Sequence, residues 1–393
     1  MKPASSSKRA KRAKAAAKSA KALQLARSKK SASGGKPLSQ PKASAAQTNK
    51  PEFEGAIAQA RPTMGRQEVQ AAMQTVRSGE FAAGAEVEQF EAEFCQFLGL
   101  DEGHAVATIN GTTALYLALW VMGADHKKVA MPAYAPATMR AAAALAHVKP
   151  HFVDNLGLHI NFADATASGA EFVIISHTFG LPADLAALAK SNDSAGRMRI
   201  IEDCSDALGA KAGDTAVGLA GEIGVFSFDS ANIITTAGQG GMLVSKNREH
   251  IEKVRSFARS LDFIMSETQA AVGRVQLAKV PTLLARREEI FAQYKAAEFD
   301  LLDVADCPDQ NITPVRLRAV MRSEFADSII EHLVTGMIHA AVPVAANDLP
   351  GGAEQFPVAH KLSATTVSIP IYPHLSNAEV LEIVEQVEIA LGR

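Results

Sequence analysis

Seven short apolar runs, rich in β-branched and aromatic residues, recur between residues 104 and 245 with helix-patterned stretches between them. They read HAVATI (104 to 109), KKVAMPAY (127 to 134), VKPHFVD (148 to 154), EFVIISHT (171 to 178), MRIIEDCS (198 to 205), EIGVFSFDS (222 to 230) and GGMLVS (240 to 245). Parallel neighbours need a long crossover, whereas antiparallel ones need only a turn, so this alternation is the pattern of a parallel sheet. An α/β protein with one mostly parallel seven-stranded sheet is expected. Helices are predicted over Gly111 to Met122, Pro136 to Ala146 and Asp184 to Ser191, as a pair within 64 to 99, and again within 247 to 298. A capping box of Ser376 and Glu379 opens a last helix whose apolar stripe is Val380, Ile383, Val384, Val387 and Leu391. The expected organisation is a tail over 1 to 55, a large α/β domain over 56 to 300 and a small C-terminal α/β domain over 301 to 393.

Charge divides the chain more sharply than its net value of -2 implies. Residues 1 to 50 hold 11 Lys and 3 Arg with no acidic residue, leaving 26 basic against 42 acidic residues for the rest, or +14 against -16. The tail is Ala, Ser and Lys, too poor in apolar side chains to offset its ordering entropy, so disorder in the free chain is expected; a solvated extension is the first reading, with polyanion contact and targeting as the alternatives. No stretch is apolar enough for a membrane span or a secretory signal, which places the chain in the cytoplasm with no membrane partner. Cys95, Cys204 and Cys307 lack the spacing of a disulfide framework or a metal site, and no metal is expected.

In open α/β sheets ligands sit at the carboxyl ends of the strands. Four such places stand out. The first strand runs into Asn110, Gly111, Thr112 and Thr113 at the start of a helix, where free amides suit a phosphate, although the same residues also serve as an ordinary cap. Glu202 and Asp203 end an apolar strand, where an ionised carboxylate needs a cationic partner such as a protonated pyridine nitrogen. His177 follows another strand, a position as often structural as functional. Phe226, Ser227 and Phe228 precede the glycine-rich segment Ala237 to Gly241.

The order of these motifs resembles the DegT/StrS family of sugar aminotransferases, which are fold-type I pyridoxal phosphate (PLP) enzymes, from about residue 62 to the C-terminus. The elements that carry the likeness are SGEFAAGAEVEQFEAEF, NGTTAL, PHFVD, ISHTFGLPADL, IIEDCSDALGA, GVFSFDSANIITTAGQGGM, MSETQAAVGRVQLAKV and IPIYPHLSNAEV, in that order. The resemblance implies a homodimer acting on a nucleotide-linked keto sugar of surface polysaccharide biosynthesis. It matches Asp203 to the residue that pairs with the PLP ring nitrogen, and Gly111, Thr112 and Ser227 to positions that hold its phosphate.

The departures fall in the same site. The family's Schiff-base lysine lies five residues after the serine of Phe-Ser-Phe, and here that position is Asn232; no lysine stands between Lys211 and Lys246. A carboxamide is neither nucleophilic nor usefully basic. Pro136 occupies the place of the aromatic residue expected to stack on the cofactor, with Tyr134 as the nearby substitute. Asp262 stands where the family has an asparagine that reaches the partner subunit's phosphate, and a carboxylate there repels it. Sugar 3-dehydratases of the family lack the lysine and use pyridoxamine phosphate (PMP), and His177 and the acidic Asp206 look like their motifs. Three readings remain open: a PLP aminotransferase, a lysine-free PMP-dependent dehydratase with His177 or Asp206 as base, and a non-catalytic dimeric binding protein that has lost the cofactor chemistry.

Overall fold

The computed structural model describes residues 55–185 and 198–393. The basic tail and all but the start of the helix expected at Asp184 lie outside the described residues. All seven expected strands form: β1 Ala105–Thr108, β2 Lys128–Pro132, β3 Lys149–Val153, β4 Phe172–Ser176, β5 Arg199–Asp203, β6 Ile223–Ser227 and β7 Gly241–Val244. They make one sheet in the order β1-β7-β6-β5-β4-β2-β3. β7 runs antiparallel to both of its neighbours, and the other pairings are parallel.

Helices cover both faces. On one face lie α1 (Arg66–Ser78), α2 (Ala85–Leu98) and the thirty-residue α7 (Glu267–Ala296), which packs against both of them. The other face carries α3 (Gly111–Val121), α4 (Ala137–Leu145) and α6 (Arg248–Ser260); a short α5 (Phe162–Ala167) lies between β3 and β4 in the chain. The two apolar layers so formed meet the sheet from opposite sides, which is why strands such as β1 are buried along their whole length.

A second, smaller core forms around a two-stranded antiparallel sheet, β8 (Ala319–Arg322) and β9 (Thr366–Ile369), with α8 (Ala326–Thr335) and α10 (Asn377–Ala390). A further helix, α9 (Pro357–Thr365), leads into β9. The expected capping box forms on α10, with Ser376 accepting from the Glu379 N–H and Glu379 accepting from the Ser376 N–H. Two segments reach this core from outside the 301–393 range. Ile57 bridges to Ile338 in parallel, and Ile290, Phe291 and Tyr294 of α7 are buried in it. No described helix is long and apolar enough to cross a membrane. The three cysteines are unpaired and buried.

Candidate functional site

Three parallel strands deliver their ends to one edge of the sheet, where Ser176 of β4 lies level with Asp203 of β5 and Val225 of β6 flanks Asp203 on the other side. A cleft of about 240 Å³ opens there. Gly111, Thr112, Asp203, Asp206, Ser227 and Asn232 all line it. A smaller cavity, bordered by Tyr134, His177 and Phe179, shares Pro136, Asp203, Ser205, Asp206 and Arg318 with the main cleft.

The cradle at the start of α3 is built by close approach. Asn110 caps the helix by accepting the Thr113 N–H at 2.7 Å, which leaves the Gly111 and Thr112 amides at the positive end of the helix. A Cβ on Gly111 would lie 2.7 Å from the Ser227 Cβ, so the glycine is what lets β6 bring its serine against the helix start. Gly241 on β7 is equally tight, since a Cβ there would meet the Asn110 carbonyl at 2.5 Å.

The acidic floor has two members. The Asp203 Oδ1 accepts from the Ser205 hydroxyl at 2.6 Å and the Ser205 N–H at 3.1 Å, and burial pushes its carboxyl above the usual range against those bonds. The Asp206 Oδ2 accepts the Phe179 N–H at 3.1 Å; burial raises this carboxyl too, and the neighbouring Asp203 adds to the rise while Arg318 opposes it. Asn232 is half-buried on the cleft wall, and its Nδ2 is enclosed without a hydrogen-bond partner. A buried donor left unpaired costs about 1–3 kcal/mol, so the wall carries an unmet demand for an acceptor.

His177 is placed beside this site but is not free to work in it. Its Nε2 faces the Glu202 Oε2 at 3.0 Å and its Nδ1 accepts the Ala183 N–H at 3.1 Å, with both side chains at 0% exposure. Glu202 also accepts from the Gly218, Ala220 and Gly221 amides. Burial alone would raise its carboxyl, but the His177 bond and these amides together hold it below the usual range. The expectation of His177 as base therefore meets a ring with one nitrogen donating and the other already accepting. The carboxylate that the sequence left without a cation, Glu202, is satisfied by this ring and three amides.

Tyr134 borders the small cavity, but its ring stands edge-on to Phe179 within an apolar cluster that includes Leu302, Val320 and Phe356. Burial pushes its phenol up to about 12. Pro136, on both cavities, precedes α4 as its cap residue, and Asp262 lies exposed in the turn between α6 and α7 with φ 55°. Sequence reading missed Arg318, which lines both cavities from the segment before β8. Its run, Arg-Leu-Arg-Ala-Val, alternates like an edge strand, and nothing in it says which arginine meets the cleft.

These groups fit the non-covalent part of a PLP or PMP site: amides and a hydroxyl for the phosphate, and a carboxylate for the ring nitrogen. They do not fit the covalent part, because no lysine lines the cleft among the described residues.

A family model for the DegT/DnrJ/EryC1/StrS aminotransferase family matches residues 62–388. The chain is 30% identical over 339 residues to the erythromycin biosynthesis sensory transduction protein EryC1 of Saccharopolyspora erythraea, covering 78% of this chain and 90% of that protein. It is 26% identical to the dTDP-4-dehydro-2,3,6-trideoxy-D-glucose 4-aminotransferase of Saccharopolyspora spinosa, with 84% and 96% covered. Among solved structures, the aminotransferase TlmJ of Streptoalloteichus hindustanus superposes with a TM-score of 0.76 at 26% identity, over 86% of this chain and 99% of that one.

Proposed function

The chain belongs to the DegT/DnrJ/EryC1/StrS aminotransferase family, and from that premise we propose that it binds PLP or PMP without a covalent bond, together with a nucleotide-linked sugar, and does not transfer amino groups. The family is one of PLP-dependent sugar aminotransferases with the fold-type I architecture seen here. The reading is carried by the wall of the cleft, where Asn232 stands and no lysine lines the site among the described residues. When bound, the cofactor supplies an electron-withdrawing ring. The chain's own residues hold and orient it: Gly111, Thr112 and Ser227 at the phosphate, and Asp203 at the ring nitrogen. Asn232 offers its unpaired Nδ2 to an acceptor on the ligand, which binds but supplies no attacking amine. The nucleotide sugar follows from relatives named for dTDP-linked sugars, and we place the protein as a cytoplasmic homodimer.

A second reading, the lysine-free dehydratase, is favoured by Asp206. Its carboxyl lines the cleft and burial raises it above the usual range, while Asp203, raised in the same way, is held by two bonds from Ser205 and His177 is held by Glu202 and Ala183.

Absorbance spectroscopy tests both. Added PMP should bind, absorb in the near ultraviolet and leave on dialysis, and added PLP should give no dialysis-resistant visible band. Amino transfer from glutamate to a keto sugar by the unaltered chain would overturn the proposal. Water loss from a nucleotide sugar with PMP bound, abolished by Asp206→Asn, would establish the second reading instead.

A further inference from the structure

Three arginines converge where the smaller core meets the cleft, and the guanidinium groups of two of them are held by neighbouring protein atoms. Arg316 pairs with Asp303 at 2.7 Å and Glu288 at 2.9 Å, and its guanidinium lies 3.9 Å over the Phe291 ring. Arg287, 3% exposed, donates to the carbonyls of Arg316, Leu317 and Ile371. Arg318 differs. It is half-buried and lines both cavities, yet its guanidinium makes no hydrogen bond or ion pair with any described residue.

The backbone that presents Arg318 is held from two sides. Arg287 grips the two carbonyls before it, and the Val315 N–H donates to the Gly180 carbonyl at 2.9 Å. Gly180, at φ 89°, packs so closely there that a Cβ would collide with the Val315 carbonyl. A cation on so fixed a segment is pre-organised, and the two carboxyls across the cleft already accept hydrogen bonds, from Ser205 and Phe179.

We propose that Arg318 is the ligand-recognition residue of this cleft and takes the carboxylate of a bound amino acid or sugar acid. The planar guanidinium fork matches a carboxylate edge with two parallel charge-assisted bonds. A dianionic phosphate is the poorer match, because it would stand beside Asp203 and Asp206, whereas a monoanion suffers half that repulsion. The proposal deepens the reading above, since it rests on this cleft being the ligand site, but it does not depend on the chemistry of Asn232.

The test is calorimetric titration of the full-length protein loaded with PMP, using L-glutamate, UDP-glucuronate and UDP-glucose as probes. We expect Arg318→Gln to weaken whichever carboxylate probe binds by about tenfold or more, the worth of a charged hydrogen bond, and to leave UDP-glucose and PMP within about twofold. Arg318→Lys, which keeps the charge and loses the fork, should fall between and so guards against misfolding of the glutamine variant. A loss confined to glutamate identifies an amino acid, and one confined to UDP-glucuronate a sugar acid. The proposal is overturned if the wild type binds neither carboxylate, if Arg318→Gln leaves their binding intact, or if PMP is weakened as much as they are. Failure of the wild type to bind PMP at all counts against the proposed function rather than against Arg318, because the carboxylate titrations can be repeated without it.

Discussion

On the proposed reading, Asn232 stands where amino transfer needs an amine. Asn232→Lys should create a visible absorbance band with PLP that survives dialysis, since the phosphate cradle and Asp203 are already placed. If no band forms, the departures at Pro136 and Asp262 have abolished cofactor binding as well. Glu202 gives a stability prediction instead. Four N–H donors point at its carboxylate, so Glu202→Gln turns an amide donor toward at least one of them and should cost about 3 kcal/mol in a urea melt at neutral pH. Its folded pKa lies below the ordinary 4.5, so the stabilisation is complete above pH 4.5 and is lost as pH falls through the lowered value. The gap between wild type and variant should therefore narrow in acid. The sequence made Asp203, Gly111 and Ser227 legible because their motifs sit directly after strands. It could not make Arg318 legible, because three nearby arginines differ only in what the fold places beside them, nor show that His177 spends both nitrogens on Glu202 and Ala183.

The contact between α3 and β6 sets what the cradle tolerates. Gly111→Ala would press a methyl group into Ser227, and such overpacking costs about 1–3 kcal/mol. PMP affinity should drop by roughly tenfold or more, while the far-ultraviolet circular dichroism stays unchanged; an unchanged affinity would move the phosphate elsewhere. Strands were the most readable elements, each found within two residues of its predicted end apart from turn residues swept into the runs. Their spatial order was not readable. β7 has the composition of the parallel strands, and only its antiparallel pairing with both β1 and β6 shows that it runs the other way. Tyr134 shows a related limit: a side chain just after a strand can border a cavity and still pack its ring into an apolar cluster.

Across the whole molecule, charge is segregated between the first fifty residues and the rest. Binding of full-length protein to heparin should weaken at least about a hundredfold between roughly 50 and 200 mM salt, as counterion release requires. A chain lacking residues 1–50 should not bind. Salt-independent binding would refute the electrostatic origin. The path of α7 has a different consequence. One helix of about 45 Å is buried in the sheet layer through Leu277, Val280 and Leu283 and in the smaller core through Ile290, Phe291 and Tyr294, while Ile57 ties the chain back to Ile338. Neither core can melt without stripping half of a shared rod from the other. Scanning calorimetry should therefore record one endotherm whose measured and van't Hoff enthalpies agree, and a fragment ending near residue 300 should aggregate, because the aromatic end of its longest helix would have nothing left to pack against.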